Sequence, residues 1–437
     1  MSEGRYRILT RRLEGAPDPL AVFAAAADAA TPTALFETAD AGARESAQSL
    51  LFLDPWVSVS ARDGVVQVQS HQAQATPMVE RLNACIAATE PADGGRGAAA
   101  CDERERLLAD SVLDVLRSLI LDLPLASRDA AAQVFGFGCF AYDLLDAFET
   151  LPAPRADPTH YPDYSFHLAS LVVRIDHRHA TTTLSALASA DDEVAARRRL
   201  AELARCCQKA GHYQLVGPAP VVARLMQSDG DYAAVVERAK AHIRAGDVYQ
   251  VVPSRAWEAP CPDPLAAYAR LRAANPSPYM FYLHAAEFTL FGASPESALK
   301  VDAANRRVEV RPIAGTRARG RNAQGAFDAE RDTRLELELR LSEKEVAEHV
   351  MLVDLARNDI ARVAVPGTRR VSELMQVERY SHVMHLVSRV EGELAPGLDA
   401  LHAYRATLNM GTLTGAPKLR AAELLRGYEP ARRGPYG

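Results

Sequence analysis

MFYLHAAEFTLFGASPESALKVDAANRRVEVR, residues Met280 to Arg311, carries four short apolar runs separated by turn residues. The runs Met280–His284, Phe288–Phe291, Ser297–Val301 and Arg307–Arg311 lie a short loop apart, the spacing of antiparallel meanders. Upstream, Asp231 to Ala245 repeats Val235, Ala239 and Ile243 at helical spacing and meets Gly246, a residue suited to closing a helix in the left-handed conformation. Val248 to Trp257 then reads as a further strand. A second unit, 229–437, is thus expected to follow a first unit, 1–228.

The first unit mixes both kinds of element. Pro19 to Ala30 and Glu103 to Leu121 read as helices. Val57–Val59, Val65–Val68, Val134–Tyr142, Ser170–Ile175 and Thr181–Leu187 read as strands. Thr89 to Ala100, with Gly94, Gly95 and Gly97, reads as a surface loop. The fold class is α+β.

Bulk properties narrow the function. The 437 residues are 48% hydrophobic and 24% charged, ordinary globular composition, with a net charge of −6. No Lys/Arg-rich tract offers a nucleic-acid strip. The six cysteines form neither a disulfide rhythm nor a C-x-x-C pair, which suits a reducing compartment. No uninterrupted apolar run marks a leader or a membrane span, so a cytoplasmic chain acting on small molecules is expected.

Four segments can carry chemistry. In Ser342 to Leu355, Val346, Val350 and Val353 recur at helical spacing, leaving Glu345 and Glu348 on another face. Two carboxylates that close suit a hard cation such as Mg²⁺, although Ser342 and Glu345 also form a capping box. His349 turns about 100° from Glu348 and reads as structural. Gly411 to Lys418 is a loop running into a helix, with Pro417 at the first helical position; it offers N–H groups to an anion or is a plain turn. Arg311, Arg317, Arg319 and Arg321 are able to hold a substrate carboxylate or lie in solvent. His385 lies in an apolar run where core histidines are common. Glu296, beside a Ser-Pro turn, reads as a surface carboxylate by itself, and Cys139 as a buried thiol.

From roughly Asp229 onward these segments together resemble the chorismate-utilising enzyme family. The resemblance rests on Gly246–Arg255, Gly292–Glu296, Pro312–Thr316, Glu345–Asp359, Tyr380–Ser388 and Gly411–Lys418. It implies two large antiparallel sheets packed as a sandwich with flanking helices, plus an N-terminal α+β regulatory region. It also implies chorismate as substrate and Mg²⁺ as cofactor.

Two positions speak to the reaction. Isochorismate- and salicylate-forming relatives carry a water-activating lysine where this chain has Gln250, which takes no proton at neutral pH. Aminodeoxychorismate synthases typically carry a nucleophilic lysine where this chain has Ala314. The resemblance therefore implies an anthranilate-forming member, with an aminodeoxychorismate-forming one as the alternative. In that reading Glu348, with Glu345 close by, holds Mg²⁺ against the ring carboxylate. Glu296 protonates the leaving 4-hydroxyl while ammonia adds at C2, giving aminodeoxyisochorismate, and His385 assists loss of pyruvate. Gly315, Thr316, Thr412 and Tyr436 contact substrate.

The same resemblance places tryptophan, a feedback inhibitor, against Glu37, Thr38, Ser49, Pro278, Tyr279 and Met280, within segments Leu35–Asp40, Ser46–Leu50 and Asn275–Phe281. It implies a separate glutamine amidotransferase subunit as ammonia source, commonly in a heterotetramer. The last residues, Arg432–Gly437, resemble a motif that ordinarily continues into strands and a final helix, a stretch that in relatives supplies a second glutamate pair, an arginine and a lysine. Little or no activity is expected of the chain as given, and a non-catalytic chain that binds tryptophan or a partner is a third alternative.

Overall fold

The computed structural model describes residues 6–38, 47–89, 102–126, 135–153, 156–215, 217 and 221–436. The expected loop around 90–100, parts of the two N-terminal tryptophan-site segments (39–46) and Gly437 lie outside them.

Antiparallel pairing dominates, but the four runs expected as one meander divide into two hairpins in different sheets, Tyr279–His284 with Thr289–Ser294 and Lys300–Asp302 with Arg307–Val310. In the larger sheet, strands run in the order Tyr6–Glu14, Thr181–Ser189, Tyr164–Asp176, Gln48–Arg62, Thr33–Glu37, Tyr279–His284 and Thr289–Ser294. Val65–Ser70 and Gly136–Phe140 pair alongside, making nine strands. Met280 pairs with Glu37 and Phe281 with Phe36, so this sheet continues across the division at 228/229. A second sheet of five strands comprises Lys300–Asp302, Arg307–Val310, Val383–Glu393, Ile313–Ala318 and Arg370–Arg379.

Period-two alternation builds a core on each face of the large sheet. Ala34, Phe52 and Trp56 point to one face, where helix Thr76–Thr89 contributes Met78 and Leu82. Leu35, Leu51 and Leu53 point to the other, under helices Pro19–Ala26, Glu193–Lys209 and Pro264–Ala274. Each fully buried Leu or Phe contributes roughly 1.5–3 kcal/mol relative to exposure. The second sheet packs Val308, Val310 and Val390 on Val353, Ala356 and Ile360 of helix Glu343–Ala361. Helix Ala400–Thr407 joins the layers: Leu401 and Tyr404 pack on the large-sheet core, and Ala403 and Ala406 belong to the second. Tyr404 stacks on Phe140 with ring centroids 4.1 Å apart.

Several local expectations need correction. The helix expected over Glu103–Leu121 breaks after Leu108, and Asp114 accepts from Ser111 N–H in the turn before the chain winds again. The strand expected over Val248–Trp257 forms only at Gln250–Val251 and Trp257–Glu258; Pro253, between them, has no N–H for a ladder. Gly246 closes its helix at φ 81° as expected. Pro417 stands one position earlier than expected, at the N-cap of helix Lys418–Tyr428. Helix Glu343–Ala361 turns a different face inward: Glu345, His349, Leu352, Val353 and Ala356 are buried, while Val350 is 47% exposed.

Candidate active site

Strand Thr289–Ser294 ends at a tight Ser-Pro turn in which Ser294 Oγ accepts from Glu296 N–H at 3.2 Å and donates to its carbonyl at 3.1 Å. That turn aims the Glu296 carboxyl inward. Ile313 N–H donates to Oε1 at 3.3 Å and Thr412 Oγ1 donates to Oε2 at 2.8 Å. Burial pushes the carboxyl up to about 7, against the lowering effect of those two donors. The surface-carboxylate reading of Glu296 is therefore overturned, because the Ser-Pro turn folds it toward two other segments. A carboxyl that half-ionises near neutrality suits proton donation.

Strand Ile313–Ala318 bulges between Ala314 and Thr316, where Gly315 has φ +85°. A Cβ there would stand 3.2 Å from Leu386 Cδ1 and 3.4 Å from Glu345 Cβ, so both the backbone and the space call for glycine. The bulge puts Thr316 Oγ1 2.9 Å from His385 Nδ1. Burial holds the His385 ring below its usual range, so it is neutral at pH 7 and able to accept a proton.

Helix Glu343–Ala361 starts at Ser342, whose hydroxyl accepts from Glu345 N–H, but the Glu345 carboxylate turns elsewhere and meets Arg317 at 3.1 Å. One turn on, Glu348 accepts from Gln250 Nε2 at 3.0 Å. Lys344 reaches toward both, at 3.6 and 4.0 Å. Gln250 arrives through a two-strand ladder in which it pairs with Ala416, and Val251 with Gly415. Thr412 sits just before that ladder. Glu296 meets Thr412 across 116 positions of chain, Gln250 meets Glu348 across 98, Thr316 meets His385 across 69 and Arg317 meets Glu345 across 28.

For a divalent cation the donor chemistry fits in part. Two carboxylates one turn apart are hard oxygen ligands, and Mg²⁺ is commonly held by one or two such groups plus substrate oxygens and water. Glu348 is the freer donor, because its 3.0 Å partner is a neutral amide, whereas Glu345 is already neutralised by Arg317. Among the described residues no group of three His, Cys, Asp or Glu side chains converges.

The arginines read as carboxylate clamps are otherwise engaged. Arg311 pairs with Glu378 at 2.6 Å, and Arg319 grips Asp332 through two bonds of 2.9 and 3.0 Å. Arg321 donates to the carbonyls of Gly325 and Ser381. Tyr436 is 56% exposed and lies by Arg433. Cys139 donates to the Phe140 carbonyl, and burial pushes its thiol up. Asp332, Glu378 and Ser388 escaped the sequence reading, since each acts through a partner distant in sequence.

A second cleft lies between the N-terminal strand Thr33–Glu37 and helix Pro264–Ala274. Glu37 is buried, accepting from Tyr268 hydroxyl at 2.6 Å and Ser49 Oγ at 3.4 Å and pairing with Arg272 at 3.0 Å. Burial nevertheless raises its carboxyl above the usual range. It opens on a cleft of about 480 Å³ that Thr38, Ala47, His177, Arg272 and Pro276 also line. Met280 is buried beside Tyr268 in the core; Pro278 and Tyr279 stand at the start of the adjoining strand.

A buried carboxyl raised to about 7, a bulged strand beside a histidine and a helix bearing paired carboxylates lie within the part of the chain that a family model matches. Residues 82–437 match the model of the chorismate binding enzyme family, and the chain belongs to it. Within that family it resembles the anthranilate synthase component 1 members. It is 45% identical to that of Salmonella typhimurium, over 96% of this chain and 83% of the relative. With that of Escherichia coli K12 it shares 43% identity, over 100% of this chain and 84% of the relative. The crystal structure of anthranilate synthase component I from Streptococcus pneumoniae superposes with a TM-score of 0.67 at 26% identity, covering 90% of this chain and 79% of that one. The menaquinone-specific isochorismate synthase of Escherichia coli has the same fold, with a TM-score of 0.65 at 15% identity over 100% of this chain and 81% of that one. Among the described residues no helix is long and apolar enough to cross a membrane.

Proposed function

We propose that this enzyme converts chorismate and ammonia to anthranilate and pyruvate by way of aminodeoxyisochorismate. The observation that carries the reading is Glu296, held by Thr412 and Ile313 with its carboxyl near 7. Protonated, it delivers a proton to the departing 4-hydroxyl as ammonia adds at C2. Two further positions select the chemistry. Ala314 is a buried methyl group with nothing to attack a substrate. The Gln250 amide, tied to Glu348, cannot deprotonate water, and ammonia needs no base. In the second stage neutral His385, steadied by Thr316, takes the proton whose loss lets pyruvate leave and the ring aromatise. Gly315 and Thr316, on the bulge, and Thr412 orient the substrate; Tyr436 is assigned to it from the family pattern.

Glu348, and Glu345 once released from Arg317, would hold Mg²⁺. The cation supplies charge neutralisation for the substrate's ring carboxylate. Ammonia is supplied by a glutamine amidotransferase subunit, which the component 1 designation of the relatives supports. The cleft beside Glu37 and Thr38 takes tryptophan: Glu37, with Ser49 at its side, faces the amino group, and binding there favours a less active arrangement.

The test is incubation of the full chain with chorismate, Mg²⁺ and ammonium, followed by anthranilate fluorescence. Aminodeoxychorismate with no aromatic product would overturn the assignment in favour of the sister reaction. Tryptophan binding without turnover would mark a non-catalytic chain.

A further inference from the structure

His349 is fully buried in the helix that carries Glu345 and Glu348, yet both ring nitrogens are bonded. Nδ1 lies 3.0 Å from the Ala314 carbonyl and Nε2 2.6 Å from Ser388 Oγ. Ser388, also fully buried, is in turn 2.9 Å from Met375 N–H. The direction of every bond follows. A carbonyl only accepts, so Nδ1 carries the hydrogen. A buried imidazolium with no carboxylate among these partners is costly, so the ring is neutral and Nε2 accepts. Ser388 must therefore donate to Nε2 and accept from Met375. The result is one unbroken chain: Met375 N–H to Ser388 O–H to His349 to the Ala314 carbonyl.

Both ends of this chain are irregular backbone. Ala314 precedes the bulge at Gly315, φ +85°, on one flank of strand Val383–Glu393. Met375, at φ +51°, lies where the register shifts between Glu373 and Gln376 on the opposite flank. Left-handed backbone at a non-glycine residue persists only where its surroundings hold it. We infer that His349 is the positioning residue of the site: with Ser388 it clamps the bulges on both flanks of strand Val383–Glu393 and so fixes Gly315 and Thr316 against His385. It touches no reacting atom. Its effect passes through the Ala314 carbonyl to the Thr316 hydroxyl, 2.9 Å from His385 Nδ1.

The experiment is nitrogen-15 spectroscopy of the histidine-labelled full chain and of Ser388→Ala, Ser388→Thr and His349→Asn. In the unaltered chain the His349 ring is expected to be protonated on Nδ1 alone, with that hydrogen slow to exchange. Ser388→Ala is expected to speed that exchange roughly tenfold, the loss of about one hydrogen bond's worth of protection. The same change should displace the His385 ring signals, and Ser388→Thr, which keeps the hydroxyl, should restore them. Ile360→Ala, a cavity about three turns further along the same helix and away from the chain of bonds, should lower the melting temperature without moving His385. Protonation of His349 on Nε2 overturns the inference, as do unmoved His385 signals in Ser388→Ala. If His349→Asn does not fold, the tautomer and Ser388→Ala decide. Only the description of Thr316 and His385 as substrate-facing rests on the proposed function. The spectra need no turnover, so failure of the clamp and failure of the activity are told apart.

Discussion

Thr412 Oγ1 donates to Glu296 Oε2 at 2.8 Å, joining two residues 116 positions apart. The bond favours the ionised carboxylate, whereas burial, the larger influence, favours the protonated acid, and the balance falls at about 7. A general acid works protonated, so anthranilate formation should decline as pH rises through about 7. Thr412→Val removes a lowering contact and should move that limb upward. A pH–rate profile checks this, and an unmoved limb would remove Glu296 from the acid role. In stability the sign is equally defined. The folded value exceeds the unfolded 4.5, so the favourable contribution is complete below about 4.5 and lost as pH passes 7. Glu296→Gln should flatten that decline in urea unfolding measured from pH 5 to 8.

Gly315→Ala combines strained φ with a Cβ 3.2 Å from Leu386. It should destabilise the chain by about 1–3 kcal/mol, with activity falling further than stability because Thr316 moves from His385. Denaturant unfolding and turnover measured on the same preparation test this. Loss of stability with unchanged kcat would show that the bulge does not shape the site.

Arg319 and Asp332 form a part-buried two-bond pair, and Asp332 also accepts from Gly320 N–H at 2.7 Å. Arg319→Met leaves Asp332 with only the more distant Arg379, at 3.9 Å, as counter-charge and should cost about 1–3 kcal/mol. The double variant Arg319→Met with Asp332→Leu should recover much of that. Equal losses in single and double variants would contradict the ion-pair account.

Arg272 is the strongest influence keeping the Glu37 carboxyl ionised, opposing burial. Arg272→Met should let Glu37 hold its proton to higher pH. Tryptophan affinity, read by calorimetry at pH 7.5, should then fall at least about tenfold, or about 1.4 kcal/mol. Undiminished binding would place the effector elsewhere. Tyr268→Phe, which removes the 2.6 Å bond, should act in the same direction with a smaller effect.

Period and spacing were enough to expose the strands from Tyr279 to Val310, the helix ended by Gly246 and the α+β class, because alternation and helical recurrence are local properties of the chain; that these strands form two hairpins in different sheets, Tyr279–Ser294 and Lys300–Val310, and not one meander, is a tertiary choice. The family motifs likewise marked Glu296, Glu348, Gln250 and His385. Spacing misjudged the helix that carries the glutamates. Val346, Val350 and Val353 form an apolar recurrence, but the face that turns inward carries Glu345 and His349, because strand Ile313–Ala318 needs a donor for the Ala314 carbonyl. The arginines Arg311, Arg317 and Arg319 read as free cations, since nothing local reveals carboxylates 67, 28 and 13 positions away.

By itself the sequence determined most of the elements, the family they build and the residue types on hand for chemistry: a carboxyl, a histidine, paired glutamates, an amide at Gln250 and a methyl at Ala314. Only the tertiary structure decided their states. Glu296 is an acid poised near 7 rather than a surface carboxylate because folding removes water from it and supplies just two donors. Glu345 is neutralised and Glu348 left more open because one turn of helix separates an arginine from an amide. Protonation and charge pairing depend on distance in space and on access to water, and neither is written in order along the chain.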